Sequence, residues 1–162
     1  MSMNEFSDAD LKFMSQALTL AKQAETKGEV PIGAVIVDNN RKIIGKSGNK
    51  REQLNTVLGH AELVALHRAC KKKNSWRLTD CTLYVTLEPC FMCAGALVQA
   101  RIKRVVFATH DPKAGAVGSV DDLSKHLKLN HKFIAEHGLM KEECSHLLTN
   151  FFKKKREEKK KK

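Results

Sequence analysis

The chain has 162 residues and 42% hydrophobic content, enough for one domain with a sizeable core, and carries 29 Lys and Arg against 18 Asp and Glu for a net charge of +11. Wholesale disorder is excluded by that composition, and no apolar run reaches the roughly 18–20 residues that span a bilayer. The N-terminal sequence lacks the basic region and apolar stretch of a signal peptide, so a cytoplasmic protein with no membrane partner is expected.

Ser7-Asp8-Ala9-Asp10 has the form of a capping box, and apolar residues recur at Leu11, Met14, Leu18 and Ala21. This spacing predicts a helix over 8–26, stopped by Gly28. Val30 to Asp38 is β-branched and mostly apolar, as in a strand buried on both faces. Asn39-Asn40 turns the chain, and Arg41 to Gly45 returns as a second strand. The next helix begins near Gly59 and ends at Lys71-Lys72-Lys73, charges that suit a helix C-terminus. Thr82 to Leu87 reads as a third strand, Cys93 to Val98 as a short buried helix, and Arg104 to Ala108 as a fourth strand. Residues 110–130 read as a loop broken by Gly115 and Gly118, with a turn of helix near Asp122 to His126. A weaker strand is expected over His131 to Glu136, then a last helix from about Leu139 past Phe151 and Phe152 into a basic tail. A hairpin followed by alternating helices and strands predicts an α/β fold: three α/β/α layers around a central mixed sheet of five strands. Residues 1–152 form one domain in this reading. Residues 153–162 form a basic C-terminal tail, with seven Lys and one Arg against two Glu, which suits either a polyanionic partner or solubility.

The cysteines number five, Cys70, Cys81, Cys90, Cys93 and Cys144, so they cannot all pair within the chain. Without a secretion signal they point to a reducing compartment, and metal ligation is the better first reading of the close pair. Two short motifs, His60-Ala61-Glu62 and Pro89-Cys90-Phe91-Met92-Cys93, each sit where a helix begins. Residues two apart diverge by about 200° inside a helix, so His60 and Glu62 can serve one site only at a helix start. Cys90 and Cys93, three apart on a first turn, share a face. His60, Cys90 and Cys93 are three zinc donors that leave one corner of a tetrahedron open, with Glu62 placed to take a proton from water. Taken singly, each residue has an ordinary alternative. The cysteines can be a redox pair, or part of a structural site completed by Cys70, Cys81 or His67. His60 can be a core histidine and Glu62 a solvated helix residue. Their joint occurrence in this order favours a catalytic centre.

This H-x-E…P-C-x-x-C pattern is the signature of the zinc-dependent nucleobase deaminases. Gly28-Glu29-Val30-Pro31-Ile32-Gly33-Ala34-Val35, Leu83 to Cys90 and Met92 to Ala96 closely resemble the bacterial tRNA-specific adenosine deaminases. So do Arg101-Ile102, Arg104 to Phe107, Asp111, Lys113, Gly115, Gly118-Ser119, Leu147-Leu148 and Phe151-Phe152, so the likeness covers nearly all of the chain before the tail. The resemblance implies a cytidine deaminase-like fold, one zinc per subunit of a homodimer, and conversion of adenosine to inosine at the wobble position of a tRNA anticodon stem-loop. It implies attack on C6 by zinc-bound hydroxide, with Glu62 as proton shuttle. It further implies that Asn49 hydrogen-bonds the purine, that Asp111 lies near the substrate nucleotide, and that the Ala61 amide helps orient the substrate. A deaminase of free guanine, cytosine or their nucleosides is the alternative within the same superfamily, and a zinc-stabilised RNA-binding protein the alternative outside it. Val57-Leu58-Gly59 replaces the family's usual Pro-Thr-Ala before the histidine, and Gly59 is expected to loosen the helix start. His110 stands where arginine is common, which is expected to weaken a phosphate contact at neutral pH.

Overall fold

In a computed structural model, residues 5–161 are described. The chain runs α1 (Asp8–Thr26), β1 (Gly33–Val37), β2 (Ile43–Gly48), α2 (Arg51–Leu54), α3 (Ala61–Lys73), β3 (Thr82–Leu87), α4 (Phe91–Gln99), β4 (Arg104–Thr109), β5 (Ile134–His137) and α5 (Lys141–Lys160), with 3₁₀ turns at Val57–Gly59 and Leu123–Lys125. The strands form one sheet in the order β2-β1-β3-β4-β5. β1 pairs antiparallel with both β2 and β3, whereas β3–β4 and β4–β5 are parallel. The mixed five-stranded sheet expected from the hairpin and crossovers is therefore present.

Period-two alternation divides the interior into two cores. Ala34, Ile36, Leu83, Val85, Val105 and Phe107 face α3 and α4, while Val35, Val37, Tyr84, Val106 and Ala108 face α1 and the start of α5. All five residues of β1 are buried, because helices cover both of its faces. Each fully buried large aliphatic or aromatic side chain contributes about 1.5–3 kcal/mol relative to exposure.

The capping box at the start of α1 extends into the sheet. Ser7 Oγ accepts from the Asp10 amide, and Asp10 Oδ2 accepts from the Ser7 amide. Asp10 also receives a bidentate contact from Arg104 on β4, at 2.8 and 3.1 Å, and a hydrogen bond from Tyr84 Oη at 2.6 Å. Burial alone works against ionisation of Asp10, but Arg104, Tyr84 and the Ser7 amide outweigh it and hold its carboxyl well below the usual carboxylate range. Asp10→Ala leaves the Arg104 charge half-buried without this partner and is expected to cost about 3–5 kcal/mol, or about 6–20 °C in melting temperature. Because the folded-state value is depressed, this difference from the parent is complete above about pH 4, the unfolded value, and shrinks as pH falls toward the folded one. Melting curves of both proteins between pH 2 and 7 check it.

The element boundaries differ from expectation in ways that concern the site. α3 starts at Ala61 and α4 at Phe91, so His60 and Cys90 are extended N-cap residues rather than helical ones. β2 begins at Ile43 and runs on to Gly48, which carries the chain directly to Asn49. α2 is absent from the sequence reading because four mostly polar residues carry no apolar period. Gly138 and Met140, both at positive φ, postpone the last helix to Lys141. From there α5 continues without a break through the lysine-rich stretch to Lys160.

Candidate metal centre and adjoining pocket

The N-termini of α3 and α4 bring the two motifs together. The donor atoms of His60, Cys90 and Cys93 all lie within 4.8 Å of one another, and among the described residues this is the group that can hold a metal ion. His60 turns Nδ1 toward the sulfurs, 3.7 Å from Cys90 Sγ and 3.4 Å from Cys93 Sγ. Tetrahedral zinc bonds of about 2.05 Å to nitrogen and 2.3 Å to sulfur place those atoms about 3.6 Å apart, so spacing and donor chemistry both fit zinc. Cys70 and Cys81, weighed above as a fourth donor, lie elsewhere. The Cys70 sulfur faces the Trp76 carbonyl, and the Cys81 sulfur faces Lys73 and Asp80. With His67 also outside the group, it offers three protein donors.

The protein's own groups favour a thiolate here. A hydrogen bond from the Cys93 thiol, with His60 adding, outweighs burial and brings Cys90 down to about 4. Cys93, as the donor to Cys90 and fully buried, is pushed up. His60 is raised by its bond to Cys90 against the effect of burial. Glu62, one residue into α3 and 5% exposed, is pushed up to about 7 by burial, with the negative charge of Cys90 adding and His60 opposing.

A cavity of about 280 Å³ opens beside these groups. His60, Glu62 and Cys90 line it together with Asn49, Ala61 and Asp111, so every candidate site residue reaches one cavity except Cys93, which lies behind the wall. Asn49 is buried, and its Oδ1 accepts from the Arg51 amide at 3.1 Å, which leaves its amide nitrogen to donate to a ligand. Asp111 caps its own turn through Oδ1, bound by the amides of Lys113 and Ala114, and keeps Oδ2. Its turn role and its position in the cavity coexist.

Gly59 does not loosen the helix start. A Cβ there would lie 2.7 Å from Arg51 Cα and from the Arg51 nitrogen, so the glycine lets α2 pack directly on the 3₁₀ turn. The Lys50 amide then donates to the Gly59 carbonyl at 2.8 Å. His110 Nδ1 lies 3.0 Å from Glu88 Oε1, and its ring lies 4.5 Å from that of His137. Nδ1 is thus engaged by Glu88, while the ring remains exposed on the groove described below. Arg51, Glu88 and Phe152 also line the cavity without having been singled out as site residues. Arg51 sits in a polar stretch with no periodic signal. Phe152 sits in an apolar helical stripe that reads equally well as core. Glu88, between strand residues and a proline, was the one detectable oddity.

A larger groove of about 690 Å³ adjoins this cavity and shares Val30, Leu87, Asp111, Ala114 and Phe152 with it. From α5 it takes Ser145, Leu148, Thr149, Phe152, Lys155, Arg156 and Lys159, a single helical stripe. Lys153, Lys154 and Lys160 lie off that stripe.

The family profile for MafB19-like deaminases matches residues 8–156. The chain is 48% identical over 148 residues to the tRNA-specific adenosine deaminase of Haemophilus influenzae, covering 91% of this chain and 86% of the relative. It is 46% identical over 144 residues to the enzyme of the same name from Bacillus subtilis, covering 89% of each. Among solved structures it is similar, with a TM-score of 0.81 and 41% identity over 85% of this chain and 99% of the other, to one from work on A-to-I editing by tRNA:A34 deaminases at the wobble position of transfer RNA.

Proposed function

The chain belongs to the MafB19-like deaminase family and, within it, to the tRNA-specific adenosine deaminases, and on that premise we propose that it hydrolyses the wobble adenosine of a tRNA anticodon to inosine. The observation that carries this reading is the three-donor group at two converging helix starts, with the buried carboxyl of Glu62 beside it in a cavity that opens onto a basic groove. His60, Cys90 and Cys93 would hold a zinc ion, which would supply Lewis-acid activation of water. Glu62 takes a proton from the attacking water on its carboxylate oxygen and delivers it to N1 of adenine. A second proton, from the new C6 hydroxyl, returns through Glu62 to the amino nitrogen, which leaves as ammonia. Asn49 donates its amide nitrogen to the purine, the Ala61 amide helps orient it, and Asp111 lies near the substrate nucleotide with Oδ2 left to accept from it. Val30, Ile32 and Leu87 form the apolar wall that keeps bulk water off the base.

The reading includes a cytoplasmic homodimer. Free thiols suit a reducing compartment, and no helix among the described residues is long and apolar enough to cross a membrane. The exposed Leu54, Val57 and Leu58, and the exposed Phe91 and Met92 at the first turn of α4, offer apolar surface for a second copy.

Purified protein offered an anticodon stem-loop with a wobble adenosine, in parallel with free adenosine, cytidine and guanine, is expected to make inosine in the stem-loop alone. Conversion of a free compound but not of the stem-loop contradicts the substrate assignment. The groove adds a quantitative expectation. Lys155→Gln/Arg156→Gln/Lys159→Gln should flatten the slope of log affinity against log salt by up to about 2, at about 0.7 per single-strand phosphate. The variant Lys153→Gln/Lys154→Gln/Lys160→Gln has the same net charge but alters the other side of α5, and should keep most of the slope. Equal slopes for the two variants would assign the lysines to general charge rather than to a path for the RNA strand.

A further inference from the structure

Beside the pocket lie two buried carboxylates that neither the metal group nor the proton path uses. Glu29 is 1% exposed and Glu88 2% exposed. A buried carboxylate is costly unless hydrogen bonds compensate it, and the identity of its donors says what it is for. For Glu29 the donors are the Glu52 amide at 3.0 Å and the Gln53 amide at 2.8 Å. These are first-turn amides of α2, whose N-cap, Lys50, makes no side-chain cap of its own. Asn49 Oδ1 takes the remaining early amide, from Arg51. Four residues, three of them polar, are too few to hold a helix alone, so α2 and the orientation of Asn49 depend on Glu29.

Glu88 organises the opposite wall. Its Oε1 accepts from the Asp111 amide at 3.0 Å and lies 3.0 Å from His110 Nδ1, and its Oε2 accepts from the amides of Val117 and Ser119 at 2.9 and 3.1 Å. The Ser119 hydroxyl donates as well. A Cβ on Gly115 would lie 2.2–2.4 Å from the carboxylate atoms, so the loop closes on Glu88 with no space left. Burial works against ionisation of both residues, yet these donors hold both below the usual carboxylate range.

We propose that Glu29 and Glu88 are positioning residues for substrate binding, each folding one wall of the pocket around its carboxylate so that Asn49 and Asp111 face each other across the base. This rests on the reading of Asn49 and Asp111 as substrate contacts. Neither glutamate touches the substrate. Glu29 acts through α2 and Asn49, and Glu88 acts through the 110–119 loop and Asp111. In Glu→Gln variants an NH₂ replaces one acceptor and confronts an amide donor, which releases the wall while preserving side-chain volume.

The test is a set of double-mutant cycles on the full chain with the stem-loop substrate, with zinc content measured for every variant. Asn49→Asp and Asp111→Asn retain the Oδ1 caps of their turns and alter only the ligand-facing group. Glu29→Gln and Glu88→Gln are each expected to raise KM about tenfold with kcat within about twofold and zinc retained. Glu29→Gln should add little in the Asn49→Asp background and its full effect in the Asp111→Asn background, and Glu88→Gln should show the converse. Equal effects of a glutamine variant in both backgrounds, or an unchanged KM, overturns the proposal. If Asn49→Asp and Asp111→Asn themselves leave KM unchanged, the reading of those two residues has failed instead, and the proposal with it. Where a glutamine variant does not fold, Ser119→Ala removes one side-chain donor from Glu88, Glu29→Asp draws the other carboxylate back from the α2 amides, and both are held to the same pattern of coupling.

Discussion

Glu62→Gln is expected to lower kcat by about 10²–10⁴-fold while zinc remains bound and KM changes by less than about threefold. Gln has the volume of Glu and keeps the packing of a residue that is 5% exposed, so the fold and the three donors stay in place. It cannot take up a proton and release it again, and two proton transfers are asked of this one side chain. Among the described residues, the other carboxyls that line the cavity, Asp111 and Glu88, have other partners. Asp111 Oδ1 is committed to its turn, and Glu88 is enclosed by donors from the 110–119 loop. Single-turnover rates with a stem-loop, read by inosine formation and set beside metal analysis, separate this outcome from metal loss. A rate near that of the parent would remove Glu62 from the chemistry.

Cys93→Ser is expected to lose both zinc and activity, the latter by more than about 100-fold. Residues that merely support metal ligands typically cost 10–100-fold when changed, so a direct donor costs more. Cys93 is fully buried and its sulfur lies 3.4 Å from His60 Nδ1, so serine leaves a hydroxyl that does not replace a thiolate donor. Cys81→Ser is the matched control, because that thiol is equally buried but faces Lys73 and Asp80. It should retain one zinc per chain. Full zinc in Cys93→Ser would show that the ion is held by other groups.

The parts of the fold that were legible are those governed by local pattern. The 3.6-residue apolar period of α1 and the β-branched runs of β1, β3 and β4 are visible without any tertiary knowledge, and their alternating faces fill the two cores. The two helix starts at which the motifs were expected are where the chain places them, because Pro89 and the stereochemistry of residues two and three apart restrict where such groups can converge. What was illegible depends on side chains reaching across the chain. α2 exists through Glu29, which is 23 residues before Glu52 in sequence. The 110–119 loop takes its form from Glu88, 29 residues before Val117. Gly59 looked like slack because glycine loosens an isolated helix start, whereas here the backbone of Arg51 occupies the space a side chain would need. The basic stretch at the C-terminus carried charge but no direction until α5 ordered it into two sides, one of them facing the groove.

Zinc K-edge absorption on the full chain, purified without added metal and paired with metal stoichiometry, tests the central claim most directly. The account predicts one zinc per chain, two sulfurs near about 2.3 Å, and two light donors near about 2.0–2.1 Å, of which the protein supplies only the His60 nitrogen. A third sulfur in the shell, a second protein nitrogen, or protein that carries no zinc would contradict it.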